Sequence, residues 1–120
     1  MSDVSSSDSQ RRFGGLERLY GPGSPQRLAN ASVVVAGIGG VGSWCAEALA
    51  RSGIGALGLI DLDHIAESNI NHQLHSLTET LGQAKVVAMA HRVRGINPEC
   101  RVAMLDDFVS PENVSDLIPV

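Results

Sequence analysis

The sequence has few cysteines, no long apolar run and no excess of positive charge, and each lack excludes a class of protein. Cys45 and Cys100 are the two cysteines of the 120 residues, and they have neither C-x-x-C nor metal-ligand spacing. A disulfide framework and a zinc site therefore have no support. No apolar stretch is long enough to span a bilayer, and the polar N-terminus does not resemble a secretion signal. We therefore expect a cytoplasmic protein without membrane contact.

The net charge of −4 argues against general binding of nucleic-acid phosphates by the whole chain. Four arginines nevertheless lie near the start of the chain, at Arg11, Arg12, Arg18 and Arg27. Their pattern alone leaves two interpretations open, a solvated surface or an anion-binding role.

A predicted strand, a glycine-rich turn and a predicted helix follow one another from residue 32. Val33-Val34-Val35-Ala36 is typical of a strand buried on both faces. In Gly37-Ile38-Gly39-Gly40-Val41-Gly42, the first glycine allows a sharp turn, the second lets backbone approach a phosphate, and the last lets the helix pack closely. The predicted helix, Ser43 to Arg51, begins with unpaired N–H groups that favour an anion. The alternative is a tight turn that binds nothing.

A second predicted strand, Ala56 to Ile60, ends at Asp61, about 20 residues after the glycine turn, where a carboxylate can accept from ribose hydroxyls. Ligands of open α/β sheets bind beyond the carboxyl ends of the strands. We therefore expect five polar side chains to face this crevice: Asp61, Asp63, Asn69, Asn71 and Gln73. By composition alone, an ordinary surface loop stays an alternative.

A helix is predicted from Gln83 to Gly95, with an apolar face of Val86, Val87, Ala90 and Val93. Lys85 lies in its first turn, where a lysine opposes the helix dipole. Its position therefore favours a phosphate partner, with a solvent-facing lysine as the alternative. A third strand is predicted from Arg101 to Leu105, and a last helix begins after Ser110.

These elements predict an α/β fold, the N-terminal half of a Rossmann-like doubly wound parallel sheet with about three strands. Residues 1–10 are rich in Ser and Asp and are predicted to be a disordered tail. Residues 11–30 are predicted to form a helical arm, and residues 31–120 a nucleotide-binding α/β domain. Because a complete domain of this type has about six strands, we expect the domain to be truncated.

Several motifs in order resemble the adenylating domain of the ThiF/MoeB/HesA superfamily of ubiquitin-activating-like enzymes. They are Gly37-x-Gly39-Gly40-x-Gly42, Asp61-x-Asp63, Ser68-Asn69-x-Asn71-x-Gln73 and Gly82-x-x-Lys85. Segments 11–21 and 96–102 resemble one branch of it closely, the tRNA threonylcarbamoyladenosine dehydratases. The similarity extends from about Arg11 to Ile118.

The resemblance implies that ATP, with Mg²⁺, activates a carboxylate by adenylation. It implies that the glycine loop passes the phosphates, that Asp61 holds the ribose, and that Asn69, Gln73 and Lys85 line the phosphate chain, with Lys85 as the main catalytic cation. His72 stands where the motif usually has arginine, which predicts a weaker phosphate contact. The superfamily's magnesium-binding aspartate lies in a second half that this sequence lacks. Asp63 alone is a poor ligand set, so no metal site is predicted.

In the dehydratase branch the substrate is tRNA that carries threonylcarbamoyladenosine, and a ureido nitrogen of the activated substrate closes a ring with loss of water. Ring closure between neighbouring atoms needs no protein nucleophile, so Cys45 is interpreted as a small core residue. The resemblance also implies a homodimer in which Arg12, or else Arg18, reaches the partner's ATP. A partner in sulfur transfer, of the cysteine desulfurase system, is implied as well.

Two alternatives remain open on the sequence. An NAD-binding oxidoreductase would use the same glycine loop and Asp61, but it has no use for the motifs that contain Gln73 and Lys85. A catalytically silent nucleotide-binding fragment is the second alternative, because only half of the expected fold is encoded.

Overall fold

The computed structural model describes residues 4–107 and 109–117. In chain order, its helices and strands are α1 Val4–Phe13, α2 Leu16–Tyr20, α3 Ser24–Ala29, β1 Ser32–Ala36, α4 Gly42–Arg51, β2 Ala56–Ile60, α5 Lys85–Ile96, β3 Arg101–Leu105 and α6 Val114–Leu117. Two short 3₁₀ turns, Glu67–Asn69 and Thr78–Thr80, lie between β2 and α5. Within these ranges, no helix has the length and apolar character needed to cross a membrane.

The three strands form one parallel sheet in the order β1-β2-β3. Their registers place Ala36, Ile60 and Leu105 in one row, so all three strands end at the same edge. The chain crosses from β1 to β2 through α4 and from β2 to β3 through α5, and these two helices pack against each other. This architecture confirms the predicted α/β class and the three parallel strands.

The core lies between the central strand and the two crossover helices. Leu57 and Leu59 of β2 pack in one cluster with Ile38, Met89 and Val93, and each is at most 1% exposed. Burying a side chain of this size contributes about 1.5–3 kcal/mol. This packing holds the carboxyl edge of the sheet against the starts of α4 and α5.

The N-terminal arm begins earlier than the sequence predicted. Helix α1 starts at Val4, within the stretch predicted to be disordered, while residues 1–3 lie outside the described part. Phe13 is 8% exposed, and a Cβ built on Gly53 would lie 3.0 Å from its Cγ. Arg12 Nη1 donates to the Ile96 carbonyl at 2.9 Å. These long-range contacts attach α1 to the sheet domain, and composition alone does not reveal them.

Helix α5 begins at Lys85 rather than at Gln83. The residues before it pair with the loop after β2, since Gly82 N–H donates to the Ile65 carbonyl at 2.9 Å and Ile65 N–H donates to the Gln83 carbonyl at 2.8 Å. Because these residues form a short antiparallel contact, the helix begins two residues later than predicted. Val87, which was predicted on the apolar face, is 48% exposed.

Candidate functional site

The glycine loop, residues 37–42, joins the end of β1 to the start of α4. Gly37 has a φ of 93°, in the left-handed region where glycine is unstrained. A Cβ built on Gly42 would lie 1.7 Å from the Gly37 carbonyl oxygen. A larger residue at Gly42 would therefore separate the helix from the strand, as the motif predicted.

Three amides of the glycine loop, those of Gly39, Gly40 and Val41, have no acceptor among the described residues. The amides of Ile38 and Ser43 are paired: Ile38 N–H donates to Asp61 at 2.6 Å and Ser43 N–H donates to the Gly39 carbonyl at 3.0 Å. Unpaired amides at the start of a helix carry the positive end of its dipole. This segment is therefore suited to bind an anion.

Asp61 connects the glycine loop to the end of β2. Its Oδ2 accepts from Ile38 N–H at 2.6 Å, and its Oδ1 accepts from Asp63 N–H at 2.8 Å. Two carboxylate oxygens have about four lone-pair sites, so acceptor capacity remains for a ligand hydroxyl. The structure thus adds a role in holding the loop that the sequence did not predict.

A cavity of about 330 Å³ opens at the carboxyl ends of the strands. Its lining includes Gly37, Asp61, Asp63 and Asp107. Asp107 was not among the predicted site residues. Its position directly after β3 was the available signal, because residues that follow parallel strands meet at the same edge.

The segment from His72 to Ser76 lies against the glycine loop and the start of α4. Three hydrogen bonds join them: Trp44 Nε1 donates to the His72 carbonyl at 3.2 Å, Leu74 N–H to Ser43 Oγ at 3.2 Å, and His75 Nε2 to the Ile38 carbonyl at 2.7 Å. His75 was not predicted as a site residue, because no motif contains it.

Gln73 lies between these contacts and is 8% exposed. Its Oε1 is the single buried side-chain nitrogen or oxygen atom of the described residues that lacks a hydrogen-bond partner. A Cβ built on Gly39 would lie 3.8 Å from Gln73 Nε2. An unsatisfied buried polar group costs about 1–3 kcal/mol, which a ligand or a water at the glycine loop would offset.

His72 is exposed and lies beside Gly40. Its Cδ2 would be 3.2 Å from a Cβ on that glycine, and its Nδ1 is 2.7 Å from Asn71 Oδ1. The structure therefore brings His72 to the loop at the position where the superfamily motif has arginine.

Lys85, the chain's only lysine, has a side chain that is 8% exposed. Its backbone N–H donates to the Asp63 carbonyl at 3.0 Å, and its Nζ lies 4.0 Å from Asp63 Oδ2. The Nζ donates no hydrogen bond to any described residue, so this largely buried side chain keeps the hydrogen-bonding capacity of its ammonium for a ligand. The solvent-facing alternative is wrong, and the site favours an anion.

Other predicted residues have no side-chain hydrogen bond to the glycine loop. Asn69 Oδ1 accepts from Ala66 N–H at 2.9 Å, so this side chain caps its own turn and keeps its Nδ2 for a ligand. Arg12 contacts the far end of α5 through the Ile96 carbonyl. Arg18 is exposed on α2.

The interpretation of Cys45 as a core residue was wrong, because Cys45 is exposed. On the same helix, Ala46 and Ala50 are buried, and Cys45 precedes that buried stripe by one residue, about 100° around the helix. Cys100 is the buried thiol, and burial raises its pKa.

The described residues do not form a magnesium site. In the described ranges, no group of three or more His, Cys, Asp or Glu side chains is placed to hold a metal ion. The Asp61 oxygens already accept backbone hydrogen bonds, and Asp63 is next to the Lys85 ammonium. Mg²⁺ is usually held by one or two carboxylates together with phosphate oxygens and water, so these two carboxylates do not form a site by themselves.

A parallel α/β sheet with a glycine loop, unpaired amides and an acid after the second strand defines a Rossmann-like nucleotide-binding unit. The sequence comparison makes this class specific. The chain belongs to the ThiF family, whose profile matches residues 11–119.

The relatives include two bacterial tRNA threonylcarbamoyladenosine dehydratases. The protein from Escherichia coli K12 is 54% identical over 120 residues, which is 100% of this chain and 45% of the relative. The protein from Haemophilus influenzae is 57% identical over 109 residues, 91% of this chain and 42% of the relative. This chain therefore spans about half the length of the relatives it matches.

A crystal structure of the E. coli tRNA N6-threonylcarbamoyladenosine dehydratase in complex with ATP has the same fold. Its TM-score is 0.93 at 54% identity, and the match covers 98% of this chain and 48% of that one. A complex of the E. coli enzyme with AMP matches with a TM-score of 0.91. These matches confirm the predicted half of a Rossmann-like fold.

Proposed function

We propose that the chain binds ATP at the glycine loop and that this site adenylates a carboxylate. The observation that carries the proposal is a set of donors at one edge of the sheet: the free amides of residues 39–41 and the ammonium of Lys85, whose side chain is largely buried. The relatives that bind ATP and AMP support the choice of nucleotide. The NAD-binding alternative has no support from the family or from these relatives.

In the proposed reaction, the substrate carboxylate attacks the α-phosphorus and pyrophosphate leaves. Negative charge then accumulates on phosphate oxygens, where oriented amides and an ammonium stabilise it better than water does. Lys85 is the proposed catalytic cation, and Gln73, Asn69 and His72 are proposed to contact the phosphates. The amides of Gly39 and its neighbours donate to the same chain of phosphates.

The ribose is proposed to lie in the cavity lined by Gly37, Asp61 and Asp63. Asp61 keeps free lone pairs for a ribose hydroxyl while it holds Ile38. Asp63 lines the same cavity, and its side chain is 75% exposed. In this arrangement the ribose lies at the strand ends and the phosphates extend toward the start of α4.

The proposed substrate is tRNA that carries threonylcarbamoyladenosine, as in the names of the relatives. Its carboxylate becomes an acyl-adenylate, its own ureido nitrogen attacks the acyl carbon, and AMP leaves while the nitrogen loses a proton. The net change of the nucleoside is the loss of one water. Because the attacking nitrogen belongs to the substrate, proximity supplies much of the rate, and a protein thiol is not required. The cytoplasm is the proposed location.

In this proposal, magnesium is bound only together with ATP. The described residues do not fit a magnesium site, so phosphates, water and residues outside this chain would have to hold the ion. None of the proposed steps depends on it.

A homodimer and a sulfur-transfer partner are further proposals. Four exposed apolar side chains support an interface: Val41 at 84%, Trp44 at 54%, Ile70 at 43% and Val87 at 48% exposure. Arg12, or else Arg18, would then reach the ATP of the partner subunit. Sedimentation of the chain and of Val87→Glu tests the dimer, and a wild-type monomer at high concentration would reject it.

The first experiment tests nucleotide binding by this chain. An acyl-phosphate derivative of ATP transfers its acyl group to a nearby lysine amine and releases ATP, and Lys85 is the only lysine available. Mass spectrometry should find the acyl group on Lys85, and excess ATP should prevent the labelling. Lys85→Arg should bind ATP without being acylated. No labelling, together with no ATP binding by calorimetry, would reject the proposal.

The second experiment tests the reaction. The chain is incubated with ATP, Mg²⁺ and tRNA bearing threonylcarbamoyladenosine, and AMP is measured together with the mass of the nucleoside. Formation of AMP with a nucleoside lighter by one water supports the dehydratase assignment. A chain that binds ATP but forms neither product is the catalytically silent fragment.

A further inference from the structure

His75 is a buried residue that the proposed reaction does not use. It is 2% exposed, and both ring nitrogens have partners, with Nε2 2.7 Å from the Ile38 carbonyl and Nδ1 3.2 Å from Ser76 Oγ. Its own carbonyl accepts from Thr80 Oγ1 at 2.7 Å. A carbonyl can only accept, so Nε2 carries the hydrogen, and the Ser76 hydroxyl donates to Nδ1. These contacts select one neutral tautomer of the imidazole.

The Ile38 backbone is bonded on both sides by side chains from different parts of the chain. Asp61 accepts from its N–H at 2.6 Å, and His75 donates to its carbonyl at 2.7 Å. The Ile38 side chain itself is fully buried. The residues that follow are Gly39 and Gly40, which have little conformational preference of their own. The direction of the free amides therefore depends on how Ile38 is held.

We propose that His75 is a positioning residue of the glycine loop, whose neutral Nε2–H form holds Ile38 so that the amides of residues 39–41 converge on a phosphate. This inference rests on the proposed ATP site. His75 itself touches no nucleotide and acts through Ile38.

Burial of His75 favours the neutral imidazole. Burial lowers the pKa of His75, the hydrogen bond to Ile38 raises it, the Lys85 ammonium lowers it, and the Asp61 carboxylate raises it, with a net decrease. The ring also borders a cavity of about 450 Å³ whose lining includes Glu79, His91 and Arg92. A neutral ring therefore adds no second positive charge near Lys85, whose ammonium is proposed to bind phosphate.

Two variants test the hydrogen bond. His75→Leu removes the donor and keeps an apolar volume, and we expect it to weaken ATP binding about tenfold, the usual value of one hydrogen bond. His75→Gln places an amide N–H near the position of Nε2, and we expect affinity within about threefold of wild type. A purely structural role predicts no such rescue.

Asn97 provides the matched control. It is 3% exposed and its Nδ2 donates to the Ile54 carbonyl at 3.0 Å, a buried bond of the same kind at the opposite edge of the sheet. Asn97→Leu should lower the unfolding midpoint and leave the ATP affinity unchanged. An equal loss of ATP affinity in Asn97→Leu and His75→Leu would overturn the proposal.

A measurement on the wild-type chain without nucleotide completes the test. Nitrogen-15 NMR of the imidazole should show a hydrogen on Nε2 and none on Nδ1 at neutral pH, and hydrogen exchange of the Ile38 amide, which is bonded to Asp61, should be faster in His75→Leu. An Nδ1–H tautomer in the wild-type chain would refute the role of His75, and this measurement does not require His75→Leu to fold. Unchanged exchange in His75→Leu would refute the role as well. Failure of wild type to bind ATP would reject the proposed function instead, and these spectra would still decide the role of His75.

Discussion

The two edges of the sheet differ in how far their polar groups are paired. At the amino edge, where β1, β2 and β3 begin, Asn97 donates to the Ile54 carbonyl at 3.0 Å and Arg12 donates to the Ile96 carbonyl at 2.9 Å. At the carboxyl edge, the glycine-loop amides, Gln73 Oε1 and Lys85 Nζ have no hydrogen-bond partner among the described residues. The contrast occurs within one small domain.

Proteins pair nearly all of their buried polar groups, and the amino edge of this chain follows that rule. The unsatisfied groups are therefore not a sign of generally loose packing. They occur where parallel α/β sheets bind ligands, and apart from the acceptor Gln73 Oε1 they combine backbone donors with one cation. Donors and a cation match a polyanion, so the two edges should differ in function as they do in hydrogen bonding.

The largest expected effect is that of Lys85→Ala at the carboxyl edge. The ammonium matters most when charge develops on the phosphates, so the rate of AMP formation should fall about 10²–10³-fold while ATP affinity falls by less than about tenfold. Arg94→Ala removes an exposed cation from the last turn of the same helix and should change neither quantity. An unchanged turnover number in Lys85→Ala would remove this residue from the site.

At the amino edge, Phe13→Ala should lower the free energy of unfolding without changing the ATP affinity. Phe13 anchors α1 against Gly53, and loss of a buried phenyl ring costs about 3 kcal/mol. Urea unfolding should show this loss, while calorimetry under native conditions should give an ATP affinity equal to that of wild type. A parallel loss of ATP affinity would mean that the two edges are coupled, and the comparison would fail.

Local patterns predicted much of the fold. The ranges Ala56–Ile60 and Arg101–Leu105 match β2 and β3 residue for residue, because a short apolar run between turn signals is enough to define such a strand. Helix α4 differs by one residue from its prediction. The glycine turn was predictable because its geometry depends on Gly37 and Gly42 themselves.

Contacts between distant parts of the chain were not predictable. The bond from His75 to Ile38 joins residues 37 positions apart, and that from Arg12 to Ile96 joins residues 84 positions apart. Neither has a local signature. Cys45 was predicted to be buried because the proposed chemistry needs no protein thiol. A residue without a catalytic role can lie on either face of a helix, so this reasoning did not determine its burial. Lys85 was predicted from the motif, but its burial required the packing of α5.

The difference between the edges should also appear in the pH dependence of stability. The unfolded chain takes up a proton on His75 near its ordinary pKa of 6.5, whereas the folded chain does so at lower pH because of burial. The unfolded state therefore binds more protons between these values, so the free energy of unfolding falls as the pH decreases below about 6.5, by at most about 1.4 kcal/mol per pH unit. In His75→Gln this contribution should be absent. Urea unfolding over a pH series measures it, and identical slopes for both proteins would contradict the expectation.

The smallest effect is expected from His72→Arg, which adds a cation beside Gly40. An arginine reaches farther than imidazole and is charged at neutral pH. Because the position is exposed, the added phosphate contact should contribute about 1 kcal/mol, or about fivefold in ATP affinity. His91→Arg makes the same substitution at an exposed position of α5 and controls for the added charge on a chain of net charge −4. A gain in His72→Arg that exceeds the gain in His91→Arg would place the phosphates next to Gly40, whereas equal gains or weaker binding would mean that residue 72 does not face them.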